Sequence, residues 1–146
     1  MRFKILTFFA FTAAIAAPAF AQGALLNPNS ATEQQLAAVP GLGTLAAQII
    51  ARRPFASPTA FDAVLAAGNL TPQQRTQVYL RVWAPMNLNT ATPQDIMLIP
   101  GMSTRMMNEF REYKPYKSIG QFRYEIGKYV PKTEVARLEQ YVFVPK

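Results

Sequence analysis

The chain has 146 residues, with no cysteine and no histidine, and its fifteen Lys and Arg outnumber its eight Asp and Glu to give a net charge of +7. Without cysteine there are neither disulfides nor thiolate metal sites, so packing must supply the stability. Without histidine or paired acidic spacing typical of a metal-dependent nuclease, we expect no enzyme activity, no cofactor and no metal. The positive charge favours polyanionic partners.

The first residues have the pattern of a secretory signal. Arg2 and Lys4 precede an apolar run over residues 5–17 that is too short to span a bilayer comfortably, and small residues at 19 and 21 suit a signal peptidase. We expect residues 1–21 to be a cleavable signal peptide, the alternative being an uncleaved anchor. The rest of the chain keeps a net charge of about +5, from thirteen basic and eight acidic residues. Export without disulfides suits the bacterial periplasm.

Four short helices are predicted next, each opened by a capping residue or a proline. Their expected first residues or caps are Ser30 or Thr32, Thr44, Ser57-Pro58 and Thr71-Pro72. The second of these helices would carry Leu45, Ile49 and Ile50 on one face. It would end at Arg53-Pro54, because a residue before proline avoids helical geometry. The fourth helix is expected to reach about residue 83.

The same plan then recurs. Conservative or identical residues return sixty positions later without a gap, from Asn27 and Asn87 to Thr44 and Thr104. Four more helices are predicted, with Lys114-Pro115 ending the second of them one residue later than in the first copy. Residues 141–144 are the best strand candidate but also fit a helix end. The fold expected is therefore all-α, with a first copy at residues 22–84 and a second copy at 85–146.

The best-preserved part of each copy is a Pro-Gly hairpin, at residues 39–44 (the first hairpin) and 99–104 (the second hairpin). The run "LAAVPGLGTLAAQII" at residues 36–50 resembles the helix-hairpin-helix motif. Each whole copy resembles the double helix-hairpin-helix unit of ComEA-type competence DNA-uptake receptors, including an opening like Asn87-Leu88-Asn89-Thr90. The first copy has Leu45 where that family often has Lys. The second has Arg105 there but Ser103 in place of a glycine.

The resemblance implies a non-catalytic protein that grips duplex DNA without reading its sequence. Glycine at the turn adopts backbone angles closed to other residues, and the first amides of the next helix lack partners within that helix. They suit phosphate oxygens, which carry no base information. The predicted phosphate-binding residues are Pro40, Gly41, Leu42, Gly43, Thr44, Pro100, Gly101, Met102, Ser103, Thr104 and Arg105, and the supporting basic residues are Arg52, Arg53, Arg111, Lys114 and Lys117.

A second hypothesis stays open, in which the hairpins only set helix packing and the partner is a protein. The extrinsic photosystem II subunit PsbU resembles this chain in a "PG-x" hairpin followed by a segment like Pro115-Tyr116-Lys117-Ser118, and it binds protein. We expect the apolar hairpin tips Leu42 and Met102 to be exposed, and such tips would suit docking equally well. Under either hypothesis the mature chain has no integral membrane segment. Its role would be DNA uptake or retention, or docking.

Overall fold

The computed structural model describes residues 23–146, so the predicted signal peptide lies outside the described residues. These form eight short helices and one pair of two-residue strands, which confirms the all-α prediction at this coarse level. None of the described helices has the length and apolar character needed to cross a membrane. The elements are α1 (Glu33–Ala37), α2 (Ala46–Ala51), α3 (Pro58–Ala67), α4 (Pro72–Tyr79), β1 (Met86–Asn87), α5 (Pro93–Met97), α6 (Thr104–Glu112), α7 (Ile119–Ile126), α8 (Lys132–Glu139) and β2 (Val142–Phe143).

Side-chain caps fix most helix starts. Thr32, Thr71 and Thr92 each accept a hydrogen bond from the backbone N–H three residues on, and that third residue bonds back to the cap's own N–H. Such capping boxes satisfy two otherwise orphaned donors. Ser57 and Ser118 cap α3 and α7 with a single bond. The starts predicted from serine, threonine and proline in the first copy are therefore confirmed for α1, α3 and α4.

Each copy closes by pairing its entry segment with its exit segment. In the first copy Leu26 pairs in parallel with Val82, and in the second Met86 pairs with Val142. The fourth helix predicted to reach about residue 83 is therefore too long, since α4 ends at Tyr79; its counterpart α8 ends at Glu139. The chain leaves each helix early because its exit segment is extended against the entry segment. The strand candidate at residues 141–144 is confirmed in part, at residues 142–143.

The two copies share one hydrophobic core. A single cluster of buried residues includes Phe61 and Leu65 of the first copy with Phe110 and Phe122 of the second. Trp83, which is 2% exposed, lies between the copies and donates its indole N–H to the carbonyl of Tyr141 at 2.8 Å. The copies therefore pack against each other, as expected for units whose separate cores would be marginal.

The second copy has one more residue between its hairpin turn and the following helix. Leu42 and Met102 are sixty apart and equivalent, because each donates its N–H to the carbonyl three residues before it, at 3.0 Å. Beyond the turn the buried positions are sixty-one apart: Ala46 corresponds to Met107, and both are buried. The extra residue therefore lies in the hairpin–helix junction and not beside Lys114, where the sequence alignment placed it.

This shift changes how each helix begins. In the first copy Thr44 lies in a turn, and Leu45 and Ala46 both donate to the carbonyl of Leu42 at 2.9 Å. The prediction that Thr44 begins a helix is wrong, since α2 begins at Ala46 and lacks a side-chain cap. The predicted inward face also changes, because Ile49 is fully buried and Ile50 only half-buried. The second copy keeps the predicted helix from Thr104.

Candidate nucleic-acid interface

Both hairpins turn on a glycine that no other residue replaces easily. Gly41 has φ of +89° and Gly101 has φ of +78°, in the left-handed region that side chains with a Cβ disfavour. A Cβ at Gly41 would meet no atom within 4 Å, whereas one at Gly101 would lie 3.7 Å from Arg137 Nη2. Backbone conformation, rather than lack of space, therefore requires glycine at both turns.

The turns leave backbone donors facing solvent. Within the described residues, the N–H groups of Gly43 and Thr44 have no hydrogen-bond partner, and both residues are exposed. The same holds at the second hairpin for Ser103, Thr104 and Arg105. Each set lies at the amino end of a helix, where the helix dipole is positive. Each hairpin therefore presents a small group of donors suited to an oxyanion.

The second hairpin is the better formed of the two. Ser103 Oγ accepts from the N–H of Met106 at 3.1 Å, which fixes the first turn of α6. α6 has nine residues and α2 only six, so the donors of the second hairpin lead into the longer and better capped helix. Arg105 adds an exposed cation at the same place. The first hairpin has Leu45 at that position in the sequence, and Leu45 is buried.

The predicted apolar tips are not free docking surfaces. Leu42 is fully buried, so the expectation that it forms an exposed tip is wrong. Its side chain belongs to the core because the chain doubles back immediately after Gly41. Met102 is half-buried. The two prolines differ: Pro40 is exposed and Pro100 is buried.

Two of the predicted supporting cations are used inside the protein. The Arg53 guanidinium donates to the backbone carbonyls of Pro28 and Ala31. The equivalent residue of the second copy, Lys114, donates its Nζ to the carbonyl of Ala91 at 2.6 Å. Both residues precede a cis proline. Burial, together with the charge of Arg111, lowers the pKa of Lys114. These two side chains tie the start of each copy to the end of its second helix.

The other predicted cations remain available. Arg52, Arg105, Arg111 and Lys117 are exposed and form no ion pair within residues 23–146. Three of the four belong to the second copy, in or just after α6. At the second hairpin, amides without partners and unpaired cations therefore lie on or next to one element, α6. At the first hairpin, the cation that accompanies the amides is Arg52, which lies at the far end of α2.

One contact of the second hairpin was missed from the sequence. Arg137 of α8 donates to the carbonyl of Pro100 at 2.9 Å and is held by Glu134 through two further bonds of 2.8 and 2.7 Å. The hydrogen bond and charge of Glu134 raise the pKa of Arg137. Arg137 lies 37 residues from Pro100, so no local pattern pointed to it. Its guanidinium fixes the hairpin against α8.

Within the described residues there is no group of three or more His, Cys, Asp or Glu that could hold a metal ion. Neither the family models nor the curated proteins nor the solved structures contain a match to this chain.

Proposed function

We propose that this is an exported, non-catalytic protein that binds duplex DNA without sequence preference, through phosphates held at its two hairpins. The observation that carries the proposal is the pair of left-handed glycine turns, each followed by exposed backbone amides without partners. The helix-hairpin-helix resemblance of both copies supports the same function. The corresponding role is DNA uptake or retention in the periplasm.

The second hairpin would contribute most of the affinity. A phosphate bound there would accept hydrogen bonds from the amides of residues 103–105 and from the Arg105 side chain. The bond from Arg105 would be charge-assisted, and such hydrogen bonds are stronger than neutral ones. The first hairpin offers two amides and no adjacent cation, with a helix-dipole contribution of about 0.3–1 kcal/mol. Arg111 and Lys117 would add counter-charge along the backbone. Arg53 and Lys114 would contribute little, because their donors already bind carbonyls.

A salt titration tests the proposal directly. Residues 22–146, the expected mature chain, are titrated onto a labelled random duplex and followed by fluorescence anisotropy at 50 to 200 mM salt. Neutralising about four phosphates predicts a slope near −3.6 in log affinity against log salt, and roughly a hundredfold loss of affinity over that range. Absence of binding at 50 mM would leave the protein-docking hypothesis as the better one.

Two variants separate the hairpin from general charge. Arg105→Gln should weaken binding several-fold, whereas Lys132→Gln, the same charge change at an exposed lysine of α8, should have little effect beyond that of net charge. Gly101→Val should weaken binding as well, because its turn would have to leave the left-handed region. Circular dichroism shows whether each variant is folded. Equal losses for Arg105→Gln and Lys132→Gln would mean that the hairpin is not the contact site.

A further inference from the structure

The second copy carries an open groove between α7 and α8. Its volume is about 580 Å³, and Val135, Ala136 and Gly127 are among the residues that line it. Tyr124, whose side chain is exposed, and two lysines, Lys128 and Lys132, also line it. This groove is larger than any gap that a well-packed core leaves. No segment of residues 23–146 fills it.

The same face of the first copy is not open. There α3 and α4 meet the second hairpin, and a remaining gap of only about 200 Å³ is lined by residues of both. From the hairpin side come Pro100, which is buried, and its neighbours 97–102. The hairpin of the second copy therefore packs against the inner face of α3 and α4. We call such a hairpin-binding face a seat.

The two faces are built from equivalent residues. Five pairs of residues, sixty or sixty-one positions apart, line the two spaces. Helices α4 and α8, of eight residues each, correspond along their whole length. In both copies an ion pair crosses the helix pair, at 3.2 Å in the first and 2.5 Å in the second. The equivalent pairs are Asp62 with Arg123, Pro72 with Lys132, Arg75 with Val135, Thr76 with Ala136, and Tyr79 with Glu139. The α7–α8 groove is therefore the same seat without a hairpin.

The first hairpin shows the complementary surface. Pro40, the counterpart of buried Pro100, is exposed, and so are Ala37 and Ala38. Their counterparts Met97 and Leu98 line the filled seat of the first copy. These small uncharged residues match a groove that is lined in part by alanine, glycine and valine. Within residues 23–146, the α7–α8 groove therefore holds no hairpin, and the first hairpin occupies no groove.

We propose that molecules of this protein associate head to tail, with the first hairpin of one molecule in the α7–α8 groove of the next. The contact is heterologous and leaves a free hairpin at one end and a free groove at the other, so association continues unless the geometry closes a ring. Within one molecule the seated second hairpin keeps residues 103–105 exposed. A seated first hairpin would likewise keep Gly43 and Thr44 exposed, so self-association and DNA binding are compatible.

The contact between molecules is weaker than the one within the chain. The intramolecular seat has an added link, in which Asp95 accepts two bonds from Thr59, and the positions equivalent to these are Gln35 and Gly120. Covalent linkage also raises the effective concentration of the second hairpin. Net positive charge opposes association of like molecules, and salt screens that repulsion. Self-association should therefore strengthen with salt, whereas DNA binding weakens.

Sedimentation velocity on residues 22–146 at rising concentration and at 0.1 and 0.5 M salt measures the association. The test uses two one-sided variants. Ala38→Arg places a cation on the hairpin that must enter a groove lined by Lys128 and Lys132, and Ala136→Arg places a long side chain in that groove. Both residues are exposed, so the fold should tolerate the changes. Thr133→Arg on α8, outside the groove, is the charge-matched control.

Wild-type protein and Thr133→Arg should form species larger than a dimer with increasing concentration, and each one-sided variant alone should stay monomeric. An equimolar mixture of the two variants should give a dimer and nothing larger, because it contains one intact hairpin and one intact groove. A monomeric wild type, or association that survives Ala136→Arg, overturns the proposal. None of these outcomes depends on whether the wild type binds DNA.

Discussion

Thr59 of the first copy and Asp95 of the second are joined by two hydrogen bonds across the boundary between the copies. Asp95 Oδ1 accepts from the N–H of Thr59 at 3.1 Å and from its hydroxyl at 2.8 Å. Its other oxygen accepts from the N–H and hydroxyl of Thr92, at 3.0 and 2.8 Å. The carboxylate is 3% exposed, so one buried group both caps α5 and holds the two copies together.

Asp95 should make stability depend on pH. Burial alone would raise its pKa, but the hydrogen bonds from Thr92 and Thr59 outweigh burial and lower the pKa below the ordinary 3.8. A carboxyl whose folded pKa is depressed stabilises fully above its unfolded pKa and loses that contribution as the pH falls through the folded pKa. The free energy of unfolding should therefore decrease as the pH is lowered below about 4. Urea denaturation between pH 3 and 7 measures it.

The variant Asp95→Asn should cost about 1.5–3 kcal/mol at pH 7, because it replaces one charged acceptor oxygen with a donor. It should also flatten the dependence of stability on pH between 3 and 5. Gln35→Ala, at the equivalent exposed capping position of the first copy, should cost no more than about 1 kcal/mol. An unchanged pH profile in Asp95→Asn would show that another group causes the acid sensitivity.

The two copies should unfold together. Trp83 is the chain's single tryptophan. It is buried between the copies and contacts Tyr79 and Tyr141 edge-on, at ring-centroid distances of 5.5 and 5.0 Å. Since the core is one cluster, tryptophan fluorescence and far-ultraviolet circular dichroism should follow one coincident transition in urea. Two separated transitions would mean that residues 22–84 and 85–146 are independent folding domains.

The helix plan was readable from the sequence because its signals are local. Thr32, Ser57 and Thr71 each act within a few residues of their own helix, and so do the prolines that follow Ser57 and Thr71. The left-handed glycines were predictable for the same reason, since Pro-Gly turns place Gly41 and Gly101 where a Cβ is disfavoured. The helix order and the repeat followed from these signals.

Other features depend on contacts between distant residues. The hydroxyl at Thr44 and Thr104 suggested a gapless repeat, yet the core selects Ile49 over Ile50 and so shifts the first copy by one residue. The roles of Arg53 and Arg137 require carbonyls 22 to 37 positions away. From the sequence alone, Arg53 and Arg137 cannot be distinguished from other surface cations. Burial of Leu42 likewise follows from how the whole hairpin returns to the core.

Arg53 and Lys114 should matter for stability more than for binding. Because each donates to backbone carbonyls of its own copy, Arg53→Ala and Lys114→Ala should each lower the free energy of unfolding by about 1–3 kcal/mol. Duplex affinity of the folded protein should change less than for Arg105→Ala, whose side chain is exposed. Denaturation and anisotropy titrations on the same three proteins give both quantities. A larger loss of affinity in Arg53→Ala than in Arg105→Ala would show that Arg53 contacts the DNA.

Gly68 holds the first hairpin's helix in place by being small. A Cβ there would lie 2.5 Å from both methyl carbons of Leu45, which is buried at the start of α2. Gly68→Ala should therefore cost about 1–3 kcal/mol, because Leu45 must move in a packed core. Gly120→Ala is the matched control: it lies in α7, its Cβ would meet only Ser118 Oγ at 3.5 Å, and alanine there should stabilise by about 0.4–1 kcal/mol. Thermal or urea denaturation of both variants measures the difference, and opposite signs are expected. If Gly68→Ala were neutral, Leu45 would have room to rearrange, and the short first turn before α2 would not depend on its contact with α3.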